Sequence, residues 1–173
     1  MLKVKNRFVK SSITAAMLLL FCGKVFANQD KPCPGCETYE DWHIVKGQSK
    51  NFIFSRPVSS TGTYKKRSKP YLMVVKSGKD INIMLYSGYT FKSGSKVKAS
   101  IALSYSDASK VENHKLFTRA EQAWFESKER HIANVMKNAA SVTFDAISHK
   151  STTSKDVYSL KGFTQAYQAL MAS

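Results

Sequence analysis

The chain has 173 residues, 27 of them Lys or Arg and 12 Asp or Glu, for a formal charge of +15; that length holds one domain with a real core. A hydrophobic content of 43%, with 10 Phe, 8 Tyr and 2 Trp, excludes a disordered chain. No apolar run approaches the roughly 20 residues of a bilayer-spanning helix, which excludes a multi-span membrane protein.

Residues 1–27 read as a secretory signal peptide. Lys3, Lys5, Arg7 and Lys10 precede an apolar stretch from Ile13 to Cys22, and Val25-Phe-Ala27 closes it with the small residue that cleavage requires. The apolar stretch is about half of what a membrane crossing needs. Lipid attachment at Cys22 would want a small residue before it, where Phe21 stands. Cleavage is therefore expected between Ala27 and Asn28, with export to the periplasm, the cell surface or the medium. The segment takes away five cations (Lys3, Lys5, Arg7, Lys10, Lys24) and no acid, leaving 22 cations against 12 acids, or +10, and no transmembrane segment in the mature chain. Cys22 leaves too, so Cys33 and Cys36 remain as an even pair that an oxidising compartment lets join.

In the mature chain, Pro32, Pro34 and Gly35 block regular structure, and residues 28–41 read as a flexible tail around Cys33-Pro-Gly-Cys36. A first strand is expected near Trp42, and Asn51 to Val58 is β-rich, with Pro57 marking an edge or a strand end. Residues 59–70 read as a polar, basic loop. Tyr71-Leu-Met-Val-Val75 and Ile81-Asn-Ile-Met-Leu-Tyr86 flank Ser77-Gly-Lys-Asp80, a hairpin pattern. Gly88 to Gly94 is a turn region, and residues 97–105 alternate Val97, Ala99, Ile101 and Leu103 against polar or small residues. Residues 114–118 and 123–125 are short strands; Ile132, Val135 and Met136 mark a helix between Lys128 and Asn138. Residues 141–147 alternate again, 157–160 form a last strand, and 163–171 form a C-terminal helix. Many short strands without long intervening helices indicate one mainly β domain over residues 42–173, a sandwich or barrel with one or two short helices in its last third.

Phe54-Ser-Arg-Pro-Val-Ser-Ser60, Tyr64 and Arg67 before Pro70-Tyr71, Gly88-Tyr-Thr-Phe-Lys-Ser-Gly-Ser95, Leu116-Phe-Thr118, Ala123-Trp124, Met136-Lys137 and Tyr158-Ser-Leu-Lys-Gly-Phe-Thr-Gln-Ala-Tyr167 run in that order. The ordered set resembles the invasion-associated locus B family from about Trp42 to Leu170. The resemblance implies an exported alphaproteobacterial protein, an immunoglobulin-like β-sandwich, and a part in host-cell invasion or colonisation, with no established enzyme activity. The Cys33–Cys36 tail and Lys150-Ser-Thr-Thr-Ser-Lys155, where related chains carry a glycine-containing turn, depart from it.

The residues themselves point to binding rather than catalysis. A thiol redox enzyme built on Cys33 and Cys36 would need a helix N-terminus to lower one thiol's pKa, and a Pro-rich tail supplies none. Zinc would need two further ligands, and only His43, His114, His131 and His149 offer nitrogen, none in a pair with metal spacing. No Gly-x-Ser-x-Gly elbow is present, and Asp145 reads as an inward-facing or strand-edge acid. Trp124, Tyr158, Phe163 and Tyr167 are expected to fill the core. No enzyme activity, cofactor or metal is expected. The densest charge is Tyr64-Lys-Lys-Arg-Ser-Lys69, and with Arg56 it forms an expected anion-binding surface of Arg56, Lys65, Lys66, Arg67 and Lys69. No acid lies between Asp41 and Asp80 to neutralise it. An anionic envelope or host-surface component fits such a surface; nucleic acid does not, since no nucleic-acid motif accompanies the charge. A periplasmic envelope-maintenance or stress protein is the competing reading.

The intact mass of the exported protein should correspond to a chain that starts at Asn28. A mass retaining residues 1–27, or one carrying lipid on Cys22, would refute the cleavage.

Overall fold

The computed structural model describes residues 35–47, 50–62, 67–103 and 110–173. The expected cleavage at Ala27 and Asn28, Cys33 of the cysteine pair, and Lys65 and Lys66 of the basic loop lie outside the described residues. Among the described residues eleven strands run β1 (Glu37–Tyr39), β2 (Trp42–Lys46), β3 (Asn51–Ser55), β4 (Ser59–Thr61), β5 (Tyr71–Ser77), β6 (Asp80–Tyr86), β7 (Val97–Ala102), β8 (Val111–Arg119), β9 (Gln122–Phe125), β10 (Ser141–Ile147) and β11 (Thr153–Ser159). Two helices stand in the last third, α1 (Glu129–Lys137) before β10 and α2 (Phe163–Ala172) after β11.

All the strands form one antiparallel sheet in the order β1-β2-β3-β5-β6-β9-β8-β7-β10-β11-β4. That order forces the sheet to curl. In a flat sheet β3 and β4 would stand about 38 Å apart at the usual strand spacing. The chain from Ser55 to Ser59 can reach only about 14 Å. The two ends are therefore drawn together, and Val58 donates its N–H to the Val157 carbonyl at 2.8 Å. Trp42 on β2 closes the seam further along, donating its indole Nε1–H to the Ser159 carbonyl on β11 at 3.0 Å.

The curl encloses one core. Alternate residues point inward on the long strands, as in Leu72 and Val74 of β5, Ile81, Ile83 and Leu85 of β6, and Val142, Phe144 and Ala146 of β10. Helix α1 adds Ile132, Ala133 and Met136, with Val135, the third residue of the expected stripe, partly buried against them. Helix α2 adds Phe163, Ala166, Tyr167 and Leu170. Its Phe163 ring meets the Trp42 ring edge to face at 4.8 Å. Gly162 lets α2 start there: its φ is +80°, and a Cβ would lie 1.9 Å from the Tyr39 carbonyl oxygen.

Three sequence expectations change. Strand β1 lies inside the stretch read as a tail, and β4 inside the stretch read as a loop. Glu-Thr-Tyr and Ser-Ser-Thr carry no apolar alternation, so each becomes a strand only because a neighbouring edge, β2 or β11, offers it backbone partners. Trp124 does not fill the core. Ala123 and Phe125 on either side of it point inward, so the strand's alternation sets Trp124 on the outer face, stacked on Phe117 across to β8 with ring centroids 5.1 Å apart. The tryptophan in the core is Trp42, with no exposed surface. Tyr158, Phe163 and Tyr167 are buried as expected.

Trp42→Ala should therefore cost about 3–5 kcal/mol in a denaturant melt, the range for emptying a buried aromatic site. Trp124→Ala should cost about 1 kcal/mol or less, the scale of one cross-strand pair. The reverse order would mean that the faces are assigned wrongly.

Candidate functional site

The basic loop enters the body of the protein at Arg67. Asp156 faces inward from β11, 2% exposed, and a carboxylate in that position needs a cation. Arg67 supplies it in a forked contact, Nη1 to Oδ1 at 2.9 Å and Nη2 to Oδ2. Its Nε–H donates to the Ser87 carbonyl at 2.8 Å, and the guanidinium lies over the Tyr89 ring at 5.1 Å. Asp156 holds the guanidinium above its ordinary pKa against the opposing effect of burial.

The turn after β6 is shaped to receive this arginine. Gly88 has φ +73°, and a Cβ there would come within 2.1 Å of the Ser68 carbonyl oxygen and 3.3 Å of Arg67 Cγ. The Ser68 N–H donates to the Gly88 carbonyl at 3.1 Å. Below the turn, the buried Ser87 hydroxyl contacts the Tyr89 carbonyl and donates to the Glu121 carbonyl at 3.1 Å, while the Tyr89 hydroxyl pairs with Ser154. The Tyr158 hydroxyl is buried beside this group with no hydrogen-bond partner among the described residues. Burial first, and the Asp156 carboxylate second, push its pKa up, so it stays protonated.

Of the five residues expected to bind an anion, Arg67 is corrected. Its charge is neutralised by Asp156, 89 residues further along, and is not open to a ligand. Arg56 is half-buried, donates to the Lys69 and Pro70 carbonyls at 2.8 and 3.0 Å, and lies over the rings of Phe54 and Tyr71 at 5.9 and 5.5 Å. Lys69 is exposed. Asp145 is on the outer face of β10, opposite Lys155 on one side and Lys98 on the other.

Two of the four histidines share one acid, and the other two stand apart. His43 Nδ1 lies 3.0 Å from the Thr38 hydroxyl, and burial pushes its pKa down, with Arg56 adding to the effect against Asp41. His114 and His131 both face Glu112 Oε1, at 2.8 and 3.2 Å, and His149 meets the Thr90 carbonyl. Among the described residues, no group of three or more His, Cys, Asp or Glu could hold a metal ion. Cys36 takes part in a disulfide. A groove of about 420 Å³ runs beside β11, with Asp41 and Lys161 on its walls and Val58 and Val157 among its lining. No described helix is long and apolar enough to cross a membrane.

No protein-family model matches the sequence, and no curated protein matches it. A solved structure does: the crystal structure of invasion associated protein B from Bartonella henselae, with a TM-score of 0.56 at 15% identity, covering 80% of this chain and 97% of that chain. At that identity, what the two share is the fold. The likeness takes in nearly all of the Bartonella protein, so the curled mainly β architecture is common to both.

Arg67→Ala should destabilise the protein by about 3–5 kcal/mol, because it strands a buried carboxylate. Adding Asp156→Ala should cost less than the two single losses summed, giving a coupling energy in a double-mutant cycle. Additive losses would show that the pair does not hold the loop.

Proposed function

We propose that this chain is an exported, non-catalytic β-sandwich protein with an accessory role in host-cell invasion or colonisation, acting through a basic surface that binds an anionic partner. The observation that carries the reading is the likeness in fold to invasion associated protein B, which extends over 97% of that chain. It agrees with the family that the ordered sequence motifs resemble. The signal-like N-terminus and the excess of 22 cations over 12 acids beyond residue 27 support export and an anionic partner.

A binding role rather than a catalytic one is supported by how the buried polar groups are used. Arg67, Asp156, Ser87, Tyr89 and Ser154 are engaged with one another and with backbone carbonyls. With Arg67 held by Asp156, Lys69 is the exposed cation among the described residues of the loop, and Arg56 lies beside it, donating to its carbonyl, on the aromatic pair Phe54 and Tyr71; Lys65 and Lys66 add their charge to the same run of sequence. Exposed lysines act through screened attraction, so their contribution fades as salt rises.

Binding to immobilised heparin, a soluble polyanion, should weaken steeply between low and physiological salt. Lys65→Ser with Lys66→Ser and Lys69→Ser should remove most of that binding and leave the thermal melt nearly unchanged, since solvated charges add little to stability. Parent-like retention of the triple variant at low salt would rule the loop out. Fractionation into periplasm, outer membrane and medium, with surface labelling of intact cells, tests the exported and host-facing part; a protein confined to the periplasm would favour the envelope-maintenance role.

A further inference from the structure

The outer face of the sheet carries an apolar row that the core does not account for. Strand register sets His43, Phe54, Met73, Met84, Trp124 and Phe117 side by side on β2, β3, β5, β6, β9 and β8. Phe54 and Met84 are buried yet stand outside the core cluster. At the end of the row Phe117 is 46% exposed, the largest exposure of any described aromatic on a strand of the row. Both helices place their buried residues in the core cluster on the other face, so no described helix covers the row.

Cations frame it. Lys115 and Arg119 lie two residues to either side of Phe117 on β8, on the same face and exposed. Lys115 stands opposite Lys98 of β7, and Arg56 lies over Phe54. The row itself contains no carboxylate, and Glu126, the exposed acid two residues past Trp124, is paired with Lys96. That charge pattern selects among occupants. A second copy packed on the row by a two-fold axis would set each frame of cations against its equal. A sugar platform wants free ring faces, but Phe117 and Trp124 stack on each other 17° from parallel, as Tyr71 and Tyr86 do at 19°, so each ring gives one face to its neighbour. Exposed apolar rings bordered by Lys and Arg match the boundary between anionic headgroups and acyl chains.

We propose that this row is a docking surface for an anionic phospholipid bilayer, with Phe117 and Trp124 entering the headgroup–acyl boundary and Lys115 and Arg119 meeting the phosphates. The proposal rests on the anionic-partner reading above and gives that partner a class; it does not depend on the 64–69 loop.

The two tryptophans make the test. Trp42 is fully buried and hydrogen-bonded, so a change in emission on binding reports Trp124. The processed protein is titrated with vesicles of phosphatidylglycerol and phosphatidylcholine in equal parts, and with phosphatidylcholine alone. The expected result is a blue shift with the anionic vesicles only, quenched when the acyl chains carry bromine and absent in Trp124→Phe. Phe117→Ser should bind those vesicles about tenfold more weakly or worse, the scale of one unburied ring. Lys115→Ser with Arg119→Ser should abolish the preference for the anionic vesicles. No vesicle binding by the parent would overturn the proposal, as would binding without shift or quenching, which is adsorption by charge elsewhere. A blue shift that grows with protein concentration in the absence of vesicles would overturn it in favour of a second copy. If Phe117→Ser does not fold, bromine quenching of the parent decides alone. A protein that binds heparin but leaves vesicles alone loses this surface and keeps the anionic-partner reading.

Discussion

One carboxylate organises the upper part of this fold. Asp156 faces inward from β11 between Ser154 and Tyr158, which face the same way, and a charge in that position is tolerated only with a close, well-oriented counter-charge. Arg67 provides it, and everything that Arg67 touches is thereby fixed. The strap at residues 67–68 must lie on Gly88, whose missing Cβ leaves the room. The Ser87–Tyr89 turn must present its carbonyl and its ring to the guanidinium. Strand β4 then pairs through Ser60 with the backbone of Asp156 itself. Segments from four parts of the sequence meet at one ion pair.

The curl divides the molecule into an inner and an outer chemistry. Inside, aliphatic and aromatic residues from the sheet and both helices pack as a single cluster, and Trp42 serves there as a core residue with its N–H matched at the seam. Outside, register lines up large apolar side chains, of which Met73, Trp124 and Phe117 remain partly open to water. The same residue type has two roles in one chain, separated by strand parity. The positive charge is divided in the same way: Arg67 is structural, while Lys69, Lys115 and Arg119 are exposed.

The parts of the fold that were legible in the sequence are those whose information is local. The 71–86 hairpin, the alternation of 97–102 and 141–147, and the stripe Ile132, Val135 and Met136 all follow from periodicity within a few residues. Strands β1 and β4 have no such pattern, because three polar residues become a strand only when a distant edge accepts them. Trp124 is set outward by the parity of Ala123 and Phe125, a local signal that the expectation of a core aromatic overrides. Arg67 was not readable at all. Its partner lies 89 residues away, and nothing in a run of basic residues marks which one will turn inward. The outer row was likewise hidden, since it exists only once the register of six strands is known.

The seam has a consequence for how the chain reaches this state. Trp42 and the Ser159 carbonyl are 117 positions apart, and β4 waits for β11 before it can pair at all. Contacts so distant in sequence are reached slowly, because a large loop must close before any of them stabilises the chain. Strands β5 and β6 can meet early; β2 cannot bury its tryptophan until α2, the last element, has been made. An intermediate with the hairpins formed and the seam open would expose both edges of the sheet, the arrangement that invites strand exchange between molecules. Closing the curl late thus makes the first strands hostage to the last helix.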